Sequence, residues 1–218
     1  MKLWKLAAFA AGSLAFIFSV GGCPSDATLA LESDLSADNS ADPTIVGDTE
    51  NPTRSLGSST TVPGSGLDSS FATQLAARFP ECEEPADSAA MEDEILRLVN
   101  AERVKSGLAE VVRNDTLVHQ AEQYACEMVQ FDFFDHVNPV TGSTLGDRAR
   151  DFEYDFQVVG ENLAAGQRTA SQAFIDWMNS PGHRKNIMDP RFTELGVAVK
   201  LGGEYGVYWV QEFGRPAR

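Results

Sequence analysis

Between Pro24 and Ser70 the chain has no aromatic residue, and Ser, Thr, Gly and Pro fill 24 of the 47 positions. Ordering a residue costs about 1–2 kcal/mol of backbone entropy, which such a segment has too little apolar area to offset. This confines the folded part. The last 138 residues, Glu81–Arg218, hold 14 of the 20 aromatic residues, so the core is expected there, in one domain. The tether's eight Asp and Glu stand against only Arg54 and Arg78. Residues 23–80 are therefore expected to form a disordered, extended linker that does not adhere to anionic lipid. Within it, Gly64-Ser65-Gly66 is loop composition and lacks the strand-turn-helix setting of a nucleophile elbow. Near its end Phe71, Leu75 and Phe79 recur every four residues, compatible with one short helical or docking segment at the domain edge. Over the full 218 residues the formal net charge is −15, which excludes the basic footprint that nucleic-acid binding requires.

The first 22 residues read as an export signal. Lys2 and Lys5 precede the uncharged stretch Leu6–Val20, and Gly21 and Gly22 follow. Fifteen residues fall short of the roughly 20 that cross a hydrocarbon core of about 30 Å. The junction Val20-Gly21-Gly22-Cys23 resembles the lipobox of bacterial lipoproteins, which implies that Cys23 becomes the lipidated mature N-terminus and anchors the protein to a membrane. Ordinary secretion is the alternative. Three cysteines then resolve as one lipidated and two paired: in an oxidising compartment Cys82 and Cys126 are expected to form a disulfide. The rival reading, Cys126 as a nucleophile beside His119, needs a free thiolate next to a base in a compartment that oxidises exposed thiols.

Three helices and a hairpin are legible in the last region. Met91, Ile95, Leu98 and Val99 give Ser88–Ser106 one apolar face, and Gly107 supplies a left-handed stop. A second helix starts after Asn114 or Asp115, with Leu117, Ala121, Tyr124, Ala125 and Met128 inward and His119, Gln123, Cys126 and Gln130 expected toward solvent. Thr169 with Gln172 forms a capping-box pattern before a helix carrying Phe174, Trp177 and Met178, which stops at Ser180-Pro181-Gly182. Leu195, Val197, Val199 and Leu201 alternate with smaller residues, Gly202-Gly203 turns, and Val207, Trp209 and Phe213 alternate on the return. Helices first and a hairpin last define an α+β layered domain.

Besides His119 the only histidines are His136, after Phe133-Phe134-Asp135, and His183, after Ser180-Pro181-Gly182. Glu161 and Glu194 are carboxylates in largely apolar surroundings, where a charge must be paired, hydrogen-bonded or bound to metal. Two imidazoles and two carboxylates could hold a divalent ion or share protons, although no local spacing motif joins them.

The stretches Phe133-Phe134-Asp135-His136, Gly160-Glu161-Asn162-Leu163-Ala164, Trp177–Met188, Phe192–Val197 and Tyr208–Gly214, with Leu98–Arg103 ahead of them, resemble in order the signature of the CAP superfamily, or SCP-like domain. The resemblance covers about residues 90 to 214. It implies an α-β-α sandwich with a central antiparallel sheet. It also implies a cleft with two His and two Glu, which fall on His136, Glu161, His183 and Glu194; that donor set is expected to take a divalent ion such as zinc as the cofactor. The expected function is an extracytoplasmic, lipid-anchored binding module for a small-molecule, lipid or other envelope ligand. The alternatives are a metal-dependent hydrolase of peptide or ester bonds in which Glu161 or Glu194 takes the proton of a metal-bound water, and a tetrad that only knits the sandwich together.

Overall fold

In a computed structural model the described residues are 44–47 and 69–217. The expected signal segment, Cys23 and most of the linker lie outside the described residues. Eleven elements follow in the described part. They are β1 Thr44–Gly47, α1 Ser69–Arg78, α2 Ser88–Lys105, β2 Val112–Arg113, α3 Asp115–Phe131, α4 Leu145–Asp151, β3 Phe156–Ala165, α5 Ala170–Asn179, α6 Pro181–Ile187, β4 Glu194–Gly202 and β5 Gly206–Pro216. The sheet runs β1-β3-β5-β4-β2, antiparallel except that β2 joins β4 in parallel. One face carries α3 and α4, the other α2, α5 and α6, which is the α-β-α sandwich expected from the resemblance.

Alternation along β4 and β5 builds both cores. Leu195, Val197, Val199, Trp209 and Phe213 pack against Ile95, Val99 and Trp177 on one side. Ala198, Tyr208 and Val210 meet Ala121, Tyr124, Ala125 and Met128 of α3 on the other. The smaller face of β4 lets α3 lie close. A β-carbon on Gly196 would stand 2.2–2.5 Å from the backbone of Leu117 and Val118.

The helix signals work as caps. Asn114 precedes α3 and its side chain accepts from Leu117 N–H at 3.1 Å. Gly107 ends the turn after α2 at φ +76°. Thr169 caps α5 through Gln172 N–H, but the Gln172 side chain accepts from Arg168 N–H at 3.1 Å instead of closing the box on Thr169. At the end of α2 the Arg103 guanidinium is wholly buried and donates to the carbonyls of Ala109, Ile187, Asp189 and Phe192, welding α2 to the turn before β4.

Three expectations change. The ordered region reaches back beyond Glu81: the helical segment compatible with Phe71–Phe79 is present as α1, which packs Leu75 and Phe79 beside Cys126, and Thr44–Gly47 inside the expected tether pairs with β3. The side of α3 expected toward solvent is partly covered. With α1 and the Cys82 segment laid over it, Cys126 is buried, His119, Gln123 and Gln130 are half-buried, and His119 stacks on Phe71 with ring centroids 4.3 Å apart. Finally, Ser180-Pro181-Gly182 ends α5 but also opens α6, since proline at the first helical position loses no hydrogen bond. The expected disulfide is present: Cys82 and Cys126 are bonded, with Cα atoms 5.2 Å apart.

Candidate functional site

His136 is delivered by the segment between α3 and α4. Asn138, wholly buried, accepts from the N–H groups of Val140 and Thr141 and donates to Glu127 at 2.8 Å, which folds the segment onto α3. Tyr124 Oη donates to the Asp135 carbonyl and Arg148 Nη1 to the His136 carbonyl, at 2.5 and 3.0 Å. Arg148 itself stands on α4, whose start is set by a reciprocal capping box between Thr144 and Asp147.

These elements converge on Glu161 in the middle of β3. One carboxylate oxygen lies 2.5 Å from His136 Nδ1 and the other accepts from Arg148 Nη2 at 2.6 Å. Glu161 has no exposed surface and His136 retains 8%. The Arg148 guanidinium lies over the Tyr124 ring, 3.4 Å from its centroid. Burial works against the Glu161 charge, but Arg148 and the hydrogen-bonded His136 outweigh it and hold the carboxyl below its usual range.

Glu212, which the sequence reading missed, is the cross-strand partner of Glu161 on β5 and is equally buried. Burial, and then the Glu161 charge beside it, push its carboxyl well above the ordinary value, with Arg148 only partly opposing. The fold thus treats the two carboxyls unequally, favouring the charge on Glu161 and disfavouring it on Glu212. The clue was available: Tyr208, Val210 and Glu212 share one face of β5, so a carboxylate occupies a core position.

The other two expected site residues have separate partners. Glu194, at the start of β4, accepts from Tyr154 Oη at 2.7 Å and from Asn114 Nδ2 at 3.0 Å, which ties it to the cap of α3. Burial and this hydrogen bond push the Tyr154 phenol up. His183 stands in the first turn of α6 and is buried. Its carbonyl accepts from Asn162 Nδ2 at 3.2 Å, and the Asn162 side chain leaves β3 on the face opposite Glu161.

A divalent ion finds no ready seat in this arrangement. Both Glu161 oxygens are engaged, one by a buried guanidinium that would repel a cation, and one Glu194 oxygen serves two donors. Among the described residues no three His, Cys, Asp or Glu side chains group so that they could hold a metal ion. The donor set as folded does not fit the group.

A second buried charge cluster lies under α1 and α2. The Lys200 ammonium reaches Glu122 at 2.8 Å and Glu84 at 3.1 Å. Nearby, burial and the Glu122 charge raise Glu92 to about 7, although Arg113 sits 3.6 Å away.

With this fold and centre in view, the chain belongs to the CAP family, described as the cysteine-rich secretory protein family, which it matches over residues 96–213. It is 39% identical over 129 residues to the uncharacterized protein YkwD of Bacillus subtilis, covering 59% of this chain and 49% of that one. The chain thus spans about half the length of that relative. Among solved structures, an extracellular SCP-domain protein of Bacillus anthracis is 33% identical, with TM-score 0.53, covering 59% of this chain and 41% of that one. An outer surface protein of Borrelia burgdorferi shares the fold at 22% identity and TM-score 0.53, over 57% of this chain and 92% of that one.

Proposed function

We propose that the protein is a tethered extracytoplasmic binding module, anchored through a lipid on Cys23, whose CAP domain recognises an envelope or environmental ligand without turning it over. The observation that carries this reading is the closure of the charged centre. Glu161 is fully buried, and its two oxygens are taken by His136 and Arg148. A general base must reach the proton that it removes, either directly or through one water, and this carboxylate is neutralised and sealed instead. The centre's work is to lock the His136 segment onto the sheet, so that the surface above it keeps one shape.

The compartment is supported by the export-signal pattern, the Cys82–Cys126 disulfide, and similarity to proteins named as extracellular in Bacillus anthracis and outer-surface in Borrelia burgdorferi. The test is an activity screen of the full mature protein against peptide and ester libraries, with and without zinc. Binding of an envelope component without turnover is the expected result. Turnover that disappears in Glu161→Gln or Glu194→Gln while the fold persists would replace this reading by a hydrolase.

A further inference from the structure

The strand β1 comes from the segment whose composition predicts a tether, and 21 residues, 48–68, separate it from α1. It pairs antiparallel with β3: Thr44 opposite Glu161, Ile45 opposite Gly160, Val46 opposite Val159 and Gly47 opposite Val158. We propose that this edge of β3 is an acceptor site for an extended polypeptide strand, closed in cis by the tether's own Thr44–Gly47. The ligand it fits presents two adjacent β-branched residues followed by glycine. The proposal goes beyond the binding-module reading and stands on separate observations, so either can fail alone.

The acceptor has three built features. Opposite Ile45 the sheet carries Gly160, where a β-carbon would stand 2.6 Å from the Phe192 ring, and the Ile45 side chain packs on the core cluster that contains Phe192. Beside Val46 stands Gly146 of α4, where a β-carbon would lie 3.2 Å from Val46 Cγ1, and Val46 packs on the cluster of Phe156 and Val159. The Asn186 side-chain amide donates to the Glu161 carbonyl at 3.0 Å and reaches the Thr44 carbonyl at 3.5 Å, spanning the two strands. The edge therefore reads a strand through main-chain pairing and two side-chain seats, the logic of β-strand addition.

The occupant in cis is slight. It is four residues long, Thr44, Ile45 and Val46 stay half-buried, and Gly47 is exposed. An open edge is a template for pairing with other chains, and covering it from within the same chain suppresses indiscriminate pairing. A strand covalently joined to the domain binds as an intramolecular occupant, so a ligand in trans must compete with it. That makes the site selective for partners that are locally abundant or that bind more tightly.

The test uses the full mature chain and a fluorescein-labelled peptide with the sequence of residues 41–50. Ile45→Asp/Val46→Asp in the protein removes both seated side chains and frees the edge. Anisotropy titration should show saturable peptide binding to this variant at least tenfold tighter than to the wild type. The same peptide carrying the two aspartates should not bind. Adding Gly146→Leu to the variant, so that leucine fills the seat of Val46, should weaken binding at least tenfold while the near-ultraviolet spectrum and the disulfide persist. Equal binding to variant and wild type, or none to the variant, overturns the proposal. So does equal hydrogen-exchange protection, in both proteins, of those β3 amides that point toward β1, because β1 would then not be what covers the edge. Dimerisation of the variant with wild type in the absence of peptide binding would assign the edge to self-association and overturn the peptide assignment.

Discussion

Glu161 and Glu212 face each other across two strands, and the fold lowers one carboxyl and raises the other, so the same substitution should give different results. Glu161→Gln leaves the buried Arg148 without its counter-charge, and losing one partner of a buried pair costs about 3–5 kcal/mol. Because the Glu161 carboxyl is lowered in the fold, the stability it confers is present above its unfolded value near ~4.3 and is lost as pH falls toward the folded one. Glu212→Gln keeps a neutral side chain where the fold disfavours a charge, and should change stability by less than about 1 kcal/mol near pH 4, at or below the unfolded value. Its folded value is raised, so wild-type stability declines as pH rises toward that value, and the glutamine should escape the decline. Urea unfolding of both variants at pH 4 and pH 6 checks the pair; equal losses for the two at pH 6 would mean that the fold does not disfavour the charge on Glu212. Glu92 offers a sharper window. With a folded value of about 7 against ~4.3 unfolded, its contribution is complete below pH ~4.3 and is lost as pH rises to about 7. Glu92→Gln should therefore match wild type at pH 4 and exceed it by roughly 3–4 kcal/mol at pH 8, read as a midpoint shift in urea.

The packing of α3 on β4 depends on one missing side chain. A methyl at Gly196 would overlap the Leu117–Val118 backbone, which cannot swing aside as a flexible side chain can. Gly196→Ala should force helix and sheet apart and cost about 3 kcal/mol, the upper end of overpacking penalties, whereas Gly107→Asn at the exposed αL stop should cost well under 1 kcal/mol. Thermal unfolding of the two variants side by side makes the comparison. On the outer side of α3 the Cys82–Cys126 bond closes a separation of 44 residues, for which the chain-entropy model gives about 4 kcal/mol. Replacing both cysteines by alanine should lower the unfolding free energy by an amount of this order. It should also expose the amides of α1, whose hold on α3 runs through Leu75, Phe79 and the Phe71–His119 stack.

For the molecule as a whole, the proposed anchor is separable from the fold. Cys23→Ser should move the protein from the membrane fraction to a soluble or unprocessed form, with the thermal stability of the CAP domain unchanged, because every described core contact lies within residues 44–47 and 69–217. Recovery of the variant in the membrane fraction, with processing intact, would place the attachment elsewhere.

How much of this could be read beforehand follows from the range of the forces involved. Helix starts and stops at Asn114, Thr169 and Gly107, and the alternation of β4 and β5, are local matters of backbone and periodicity, so they were legible, as was the pairing of Cys82 with Cys126. The strand β3 was not predicted from periodicity, since both its faces are buried and its residues do not alternate in polarity. The true company of Glu161 was equally hidden: Arg148 and Glu212 lie 13 positions before it and 51 after it, and no spacing rule joins them. Two carboxylates and a guanidinium became one buried unit because antiparallel pairing set Glu161 beside Glu212 and the cap at Thr144 aimed α4 toward them. Propensity acts over a few residues, and burial and charge neutralisation act through space, so the elements were written locally while the pairing of Glu161 with Glu212 and the strand at Thr44–Gly47 waited on the fold.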